Sequence, residues 1–202
     1  MLKITNKHQY INNEDIQLLR KALKGNFLTG GPLVDIFESK LNNYFGGKYC
    51  NVVSSGTSAL HLSGLVLGWK KNDIVIVPPI TFLSTVNCIE YQKAKPDFVD
   101  IEPYTYTIDV NKLEDKIKKY KKNNKKIKAV IGVDYAGHPC DWIALRYLAN
   151  RYNFMLINDN CHALGSKYYK SLKYSTKYAD LVTHSYHAVK NITKGEGGAV
   201  LT

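Results

Sequence analysis

Residues 49–67 read Tyr49-Cys50-Asn51-Val52-Val53-Ser54-Ser55-Gly56-Thr57-Ser58-Ala59-Leu60-His61-Leu62-Ser63-Gly64-Leu65-Val66-Leu67. An apolar run at 49–53 reads as a short buried strand; it gives way to a turn of small hydroxyl residues, 54–58, and then to an apolar helix, 59–67. The rest of the chain repeats that alternation. Upstream, Ile16, Leu19 and Leu23 recur at helical spacing over 13–23, with Asn12 or Asn13 able to cap the first turn. Thr29-Gly30-Gly31-Pro32 breaks the chain. A second amphipathic helix over 32–45 puts Val34, Phe37, Leu41 and Phe45 on one face and ends at Gly46-Gly47. Downstream, strand-like runs at 74–77, 96–99, 128–133, 155–158 and 181–184 are separated by segments long enough for crossover helices. The expectation is an α/β fold, a mostly parallel sheet with helices on both faces. In such sheets ligands sit beyond the carboxyl ends of the strands, so the residues just after strands carry the functional weight.

Composition bounds what that fold can do. At 202 residues and 45% hydrophobic, the chain can bury the core of one domain, or of one domain and part of a second. Its last residues, Gly197-Gly198-Ala199-Val200-Leu201-Thr202, read as a turn entering an apolar strand, as a piece of something longer would. The net charge of +11 is mostly local: residues 112–128 hold nine lysines against Glu114 and Asp115, an excess of +7. With Tyr120 its one aromatic and no arginine among the lysines, that segment reads as a solvated helix end and loop, and no nucleic-acid partner is expected. Cys50, Cys88, Cys140 and Cys161 are too widely spaced for a Cys-x-x-Cys pair, which leaves buried, reduced thiols and no metal site. No charged-then-apolar leader opens the chain and no apolar run reaches the ~18 residues of a membrane span. A soluble cytoplasmic protein with no membrane partner is the expectation.

Four post-strand segments carry chemistry. Ser54 to Ser58 leads straight into a helix, where hydroxyls, backbone N–H groups and the helix dipole converge as a phosphate needs; an ordinary Ser/Thr cap looks the same. Phe82, after the strand at 74–77, can stack on a flat ligand or fill a core. Asp159, after the strand at 155–158, is a carboxylate delivered by an apolar run, with His162 three residues on. Buried, it needs a cationic partner; exposed, it is a helix cap. After the strand at 181–184 come Ser185 and Lys190, the latter among small residues, aromatics and the glycines of Gly195-Glu196-Gly197-Gly198. A crowded lysine loses its proton more easily and can form a Schiff base, whereas most lysines are surface charges. Together, an anion cradle, a π-face partner, a carboxylate for a pyridinium nitrogen and an amine for an aldehyde are what pyridoxal phosphate requires.

Across essentially its whole length the chain resembles the DegT/StrS family of sugar aminotransferases, fold-type I pyridoxal-phosphate enzymes. The matching stretches are Leu28-Thr29-Gly30-Gly31-Pro32 with Phe37-Glu38, Ser55-Gly56-Thr57-Ser58-Ala59-Leu60, Thr81-Phe82-Leu83-Ser84-Thr85-Val86-Asn87, Val133-Asp134-Tyr135-Ala136-Gly137, Asp159-Asn160-Cys161-His162-Ala163-Leu164-Gly165, and Ser185-Tyr186-His187 through Lys190 to Gly198. His162, where glutamine is commoner, and the run His187-Ala188-Val189-Lys190-Asn191-Ile192-Thr193 resemble the branch that aminates UDP-linked 4-keto-6-deoxy sugars on the route to pseudaminic acid.

The resemblance implies roles. Lys190 is the Schiff-base lysine and proton carrier, Asp159 the acid on the pyridinium nitrogen, and His162 a contact to the phenolic oxygen. Gly56, Thr57 and Ser185 form the phosphate cradle, and Phe82 is the stacked aromatic. It implies an amino-acid donor, usually glutamate, a nucleotide-sugar acceptor, and a homodimer whose second subunit completes the site. A lysine at 190 argues against sugar dehydration, the sister chemistry, which uses histidine there. Residues 1–202 are then the cofactor-binding large domain, with 1–32 its N-terminal helix and substrate-side loop, ending after the lysine motif without the small C-terminal domain. Family members run to nearly twice this length, so the expectation for these 202 residues alone is poor cofactor binding and an exposed apolar edge at the final strand. A non-catalytic remnant acting as a binding module is the alternative.

Overall fold

The computed structural model describes residues 10–202. The first nine residues of the expected N-terminal segment, on which the leaderless start rests, lie outside the described residues. In chain order the elements are α1 (Asn13–Leu23), α2 (Pro32–Phe45), β1 (Cys50–Val53), α3 (Gly56–Val66), β2 (Ile74–Val77), α4 (Leu83–Glu90), β3 (Lys95–Phe98), α5 (Val110–Lys122), β4 (Ile127–Val133), α6 (Trp142–Tyr152), β5 (Met155–Asp159), α7 (Tyr174–Tyr178), β6 (Leu181–Ser185) and β7 (Gly198–Leu201). A 3-10 turn at Tyr135–Gly137 follows β4.

The strands form one seven-stranded sheet in the order β1-β7-β6-β5-β4-β2-β3. From β3 across to β6 every neighbouring pair is parallel, while β7 runs antiparallel to both β1 and β6. Strand alternation divides the core between the two faces. Ile74 and Ile76 of β2 pack in a cluster with Leu41 and Phe45 of α2, Leu113 and Ile117 of α5, and Leu145 and Leu148 of α6. Val75 and Val77 of the same strand point the other way, to Ala59 and Leu60 of α3 and Cys88 and Ile89 of α4. Each such fully buried aliphatic contributes roughly 1.5–3 kcal/mol, so the central strands lock the sheet between two helical layers. The expected α/β architecture with both faces covered is what forms.

Local chemistry sets the element ends. Asn12 caps α1 in a reciprocal capping box with Asp15. Gly46 ends α2 in the left-handed region at φ 72°, where a Cβ-free residue is favoured. The apolar stripe of α1 meets no core: Ile16, Leu19 and Leu23 are exposed and no residue of α1 is buried.

Three expectations change. The apolar strand closing the chain does not become an exposed edge: β7 inserts between β1 and β6 and all four of its residues are buried. Pairing on both sides satisfies its backbone, and the edges fall to β1 and β3. For the same reason β1, expected buried, is only partly so. Finally, the helix expected at 59–67 starts at Gly56, because Ser55 rather than Ser58 is its cap.

Candidate active site

Five strand ends converge on one cavity of about 450 Å³. All seven residues singled out in the sequence line it: Gly56, Thr57, Phe82, Asp159, His162, Ser185 and Lys190. Asp159 and Ser185 are the last residues of β5 and β6 rather than the first beyond them, so the strands themselves aim these side chains.

The first turn of α3 forms one wall. Ser55 Oγ accepts from the Ser58 amide at 3.1 Å, and the Ala59 amide donates to the Ser55 carbonyl at 3.0 Å. The amides of Gly56 and Thr57 have no acceptor among the described residues. Two unmet donors at the positive end of an 11-residue helix attract an anion. Gly56 is buried, and the turn can approach β6 because that residue has no side chain: a Cβ there would stand 2.8 Å from Ser185 Cβ and 3.3 Å from Cys161 Sγ.

Asp159, 4% exposed, lies at the floor. Its Oδ2 accepts from Thr85 Oγ1 at 2.8 Å and its Oδ1 from the Cys161 amide at 3.2 Å. No lysine, arginine or histidine among the described residues forms an ion pair with it. A buried carboxylate in this state is incompletely compensated, and a cationic ligand nitrogen is what would complete it. Phe82, the N-cap of α4, is 68% exposed and presents its ring along the wall. Its ring is open to the cavity rather than packed in the core.

His162 is half-buried, with its ring centroid 6.0 Å from that of Tyr135. Burial, then the nearby Lys190 charge, push its imidazole below the ordinary value, which favours a neutral ring. Lys190 is half-buried, in a turn where its amide donates to the His187 carbonyl at 2.9 Å. The enclosure expected around it is partial.

Ser55, Tyr135, His187 and Glu196 also line the cavity, with His187 Nε2 3.6 Å from Glu196 Oε1. Tyr135 was reachable by the same strand-end logic, since it lies two residues past β4. Thr85 was not, because it meets its partner across 74 positions. Among the described residues, no group of three or more His, Cys, Asp or Glu could hold a metal ion, and no helix is long and apolar enough to cross a membrane.

A mostly parallel α/β sheet with a helix N-terminus, an open aromatic face, a buried acid and a lysine around one cavity is the arrangement of an aminotransferase-type fold. The chain belongs to the DegT/DnrJ/EryC1/StrS aminotransferase family, whose profile matches residues 9–202. It is 44% identical over 199 residues to a UDP-4-amino-4,6-dideoxy-N-acetyl-beta-L-altrosamine transaminase of Campylobacter jejuni, covering 98% of this chain and 51% of that protein. It superposes with a TM-score of 0.87 on PseC of Helicobacter pylori, an aminotransferase involved in pseudoaminic acid biosynthesis, at 29% identity over 98% of this chain and 52% of that one. NtdA of Bacillus subtilis, solved with bound cofactor PMP, superposes at 0.83, with 32% identity over 95% of this chain and 42% of that one. The chain spans about half the length of the curated relatives it matches.

Proposed function

We propose that the protein is a pyridoxal-phosphate-dependent nucleotide-sugar aminotransferase whose large, cofactor-binding domain comprises residues 1–202. It takes an amino group from an amino acid, glutamate by preference, and delivers it to a nucleotide-linked 4-keto-6-deoxy sugar, working in the cytoplasm as a homodimer. The observation that carries this reading is Asp159: a buried carboxylate, without an ion-pair partner among the described residues, on a cavity that also holds a helix N-terminus, an exposed aromatic ring and a lysine. That set fits the cofactor group by group. The sugar assignment is supported by the names of the Campylobacter and Helicobacter relatives.

Pyridoxal phosphate supplies, when bound, a ring that takes up the electron pair left as the substrate carbon loses its proton. The amides of Gly56 and Thr57 and the Ser185 hydroxyl hold the phosphate. The Asp159 carboxylate holds the proton on the ring nitrogen. Phe82 covers one ring face and excludes water from it, while His162, kept neutral by burial, offers a hydrogen bond at the phenolic oxygen. Lys190 Nζ would hold the aldehyde carbon of that group and would carry the proton between the substrate carbon and the cofactor.

The test is to incubate the purified chain with pyridoxal phosphate, reduce with borohydride and map the modified peptide beside a Lys190→Ala control. All seven residues meet in one cavity and β7 is paired on both sides, so, against the poor binding expected from length alone, a label at Lys190 that the control lacks is the expected result. Scattered or absent labelling overturns the reading and leaves a module without the family's chemistry.

A further inference from the structure

We propose that Thr85 is a positioning residue for Asp159, the terminal donor of a two-hydroxyl relay that orients the carboxylate toward the cavity. Thr81 Oγ1 donates to Thr85 Oγ1 at 2.9 Å, and Thr85 Oγ1 donates to Asp159 Oδ2 at 2.8 Å. Each threonine has one hydroxyl proton, so the order is fixed: Thr85 can give its proton only to the carboxylate once it accepts from Thr81. Hydrogen bonds in such a chain polarise one another, and a donor to a charged group is stronger than one between neutral groups.

The placement is as specific as the bonding. Thr85 is fully buried on α4, which follows β2, whereas Asp159 ends β5 with β4 between them in the sheet. The Thr85 amide donates to the Phe82 carbonyl at 3.0 Å, so one helical turn carries both the exposed ring and the hydroxyl that holds the acid. Thr81 lies on the cavity wall at the start of that turn. With Oδ2 tied to Thr85, Oδ1 accepting a 3.2 Å contact from the Cys161 amide and the Cys161 thiol alongside, acceptor capacity is left for a cationic N–H from the cavity.

This inference rests on the proposed cofactor reading, and its test separates the two. Wild type, Thr85→Val and Thr85→Ser are titrated with pyridoxal phosphate labelled with 15N in the ring, reading both the dissociation constant and the 15N shift, which reports whether the ring nitrogen is protonated. Valine keeps the shape and removes the hydroxyl; serine keeps the hydroxyl. Thr85→Val is expected to weaken binding on the order of tenfold, the loss of one hydrogen bond to a charged group, and to move the ring nitrogen toward its unprotonated signal. Thr85→Ser is expected to match wild type in both. If both variants match wild type, or both weaken binding while the nitrogen signal stays put, the relay is overturned and the cofactor reading stands. If wild type itself binds no pyridoxal phosphate, the cofactor reading fails and the relay with it. Should Thr85→Val not fold, Thr81→Val removes the outer hydroxyl alone; it is expected to move the nitrogen signal the same way by less, and an unmoved signal overturns the proposal.

Discussion

Two buried aspartates stand side by side at the carboxyl ends of neighbouring strands and are treated in opposite ways. Asp134, just past β4, donates its amide to the carbonyl of Asp159, the last residue of β5, at 3.1 Å. The Asp134 carboxylate is closed. Oδ1 accepts from the Cys140 amide at 2.8 Å and Trp142 Nε1 at 3.0 Å; Oδ2 accepts from Asn158 at 3.1 Å, Asn160 at 2.9 Å and the Tyr174 hydroxyl at 2.7 Å. Burial pushes this carboxyl above its ordinary range, and the donors pull it back. A protonated Asp134 would aim a hydrogen at partners that are themselves donors, so the bonding favours the anion. Asp159 has one side-chain donor and one long amide contact. A carboxylate whose partners are all internal pins the fold, whereas one left open toward a cavity has acceptor capacity to offer a ligand.

The largest expected effect comes from breaking the closed aspartate. Asp134→Asn turns an acceptor into a donor facing donors and strands several buried groups; we expect a loss of about 3 kcal/mol or more, measured by urea denaturation. A stability near wild type would erase the distinction drawn here.

A third buried polar group sharpens it by having neither kind of partner. His184 on β6 is 1% exposed, both its ring nitrogens lack hydrogen-bond partners, and its ring lies 4.3 Å from that of Phe45. Burial drives its pKa down to about 3. The folded state therefore keeps it neutral where an unfolded histidine, near 6.5, takes a proton. The unfolded state binds more protons between those values, so stability is full above roughly pH 6.5 and falls as pH drops toward 3, by about 1.4 kcal/mol per pH unit. In His184→Phe that slope should be absent from acid-unfolding curves.

The smallest effect belongs to the open aspartate. Asp159→Asn removes a poorly compensated buried charge, so its stability should stay within about 1 kcal/mol of wild type while pyridoxal phosphate binding is lost. Melting temperature and cofactor titration on the same sample check both halves. A collapse in stability would make Asp159 a second structural pin.

Much of this was legible in the linear chain, and the remainder was hidden for identifiable reasons. The strands at 74–77 and 128–133 announced themselves because both faces of a parallel sheet are covered, giving uninterrupted apolar runs. The seven cavity residues were readable because each lies at or near a strand end, where side chains and helix starts converge. The Thr85 relay was not, because its partner is brought near only by sheet order. Nor was the neighbourhood of β7: an apolar tetrapeptide at the end of a sequence says nothing of which strands will flank it. His184 read as one more residue of a buried strand; its isolation depends on Phe45 and Tyr186, which come from another element and from the residue two positions on.

The insertion of β7 has a consequence for assembly in time. β1 is the first of the described strands in chain order, yet its one neighbour among them is β7, the last of them to be made. At ribosomal speeds the interval is on the order of ten seconds. During it the strand at Cys50–Val53 has no hydrogen-bonding neighbour while the parallel block from β2 to β6 can already pair. Among the described strands the sheet therefore closes late where it began, as β7 enters between β1 and β6.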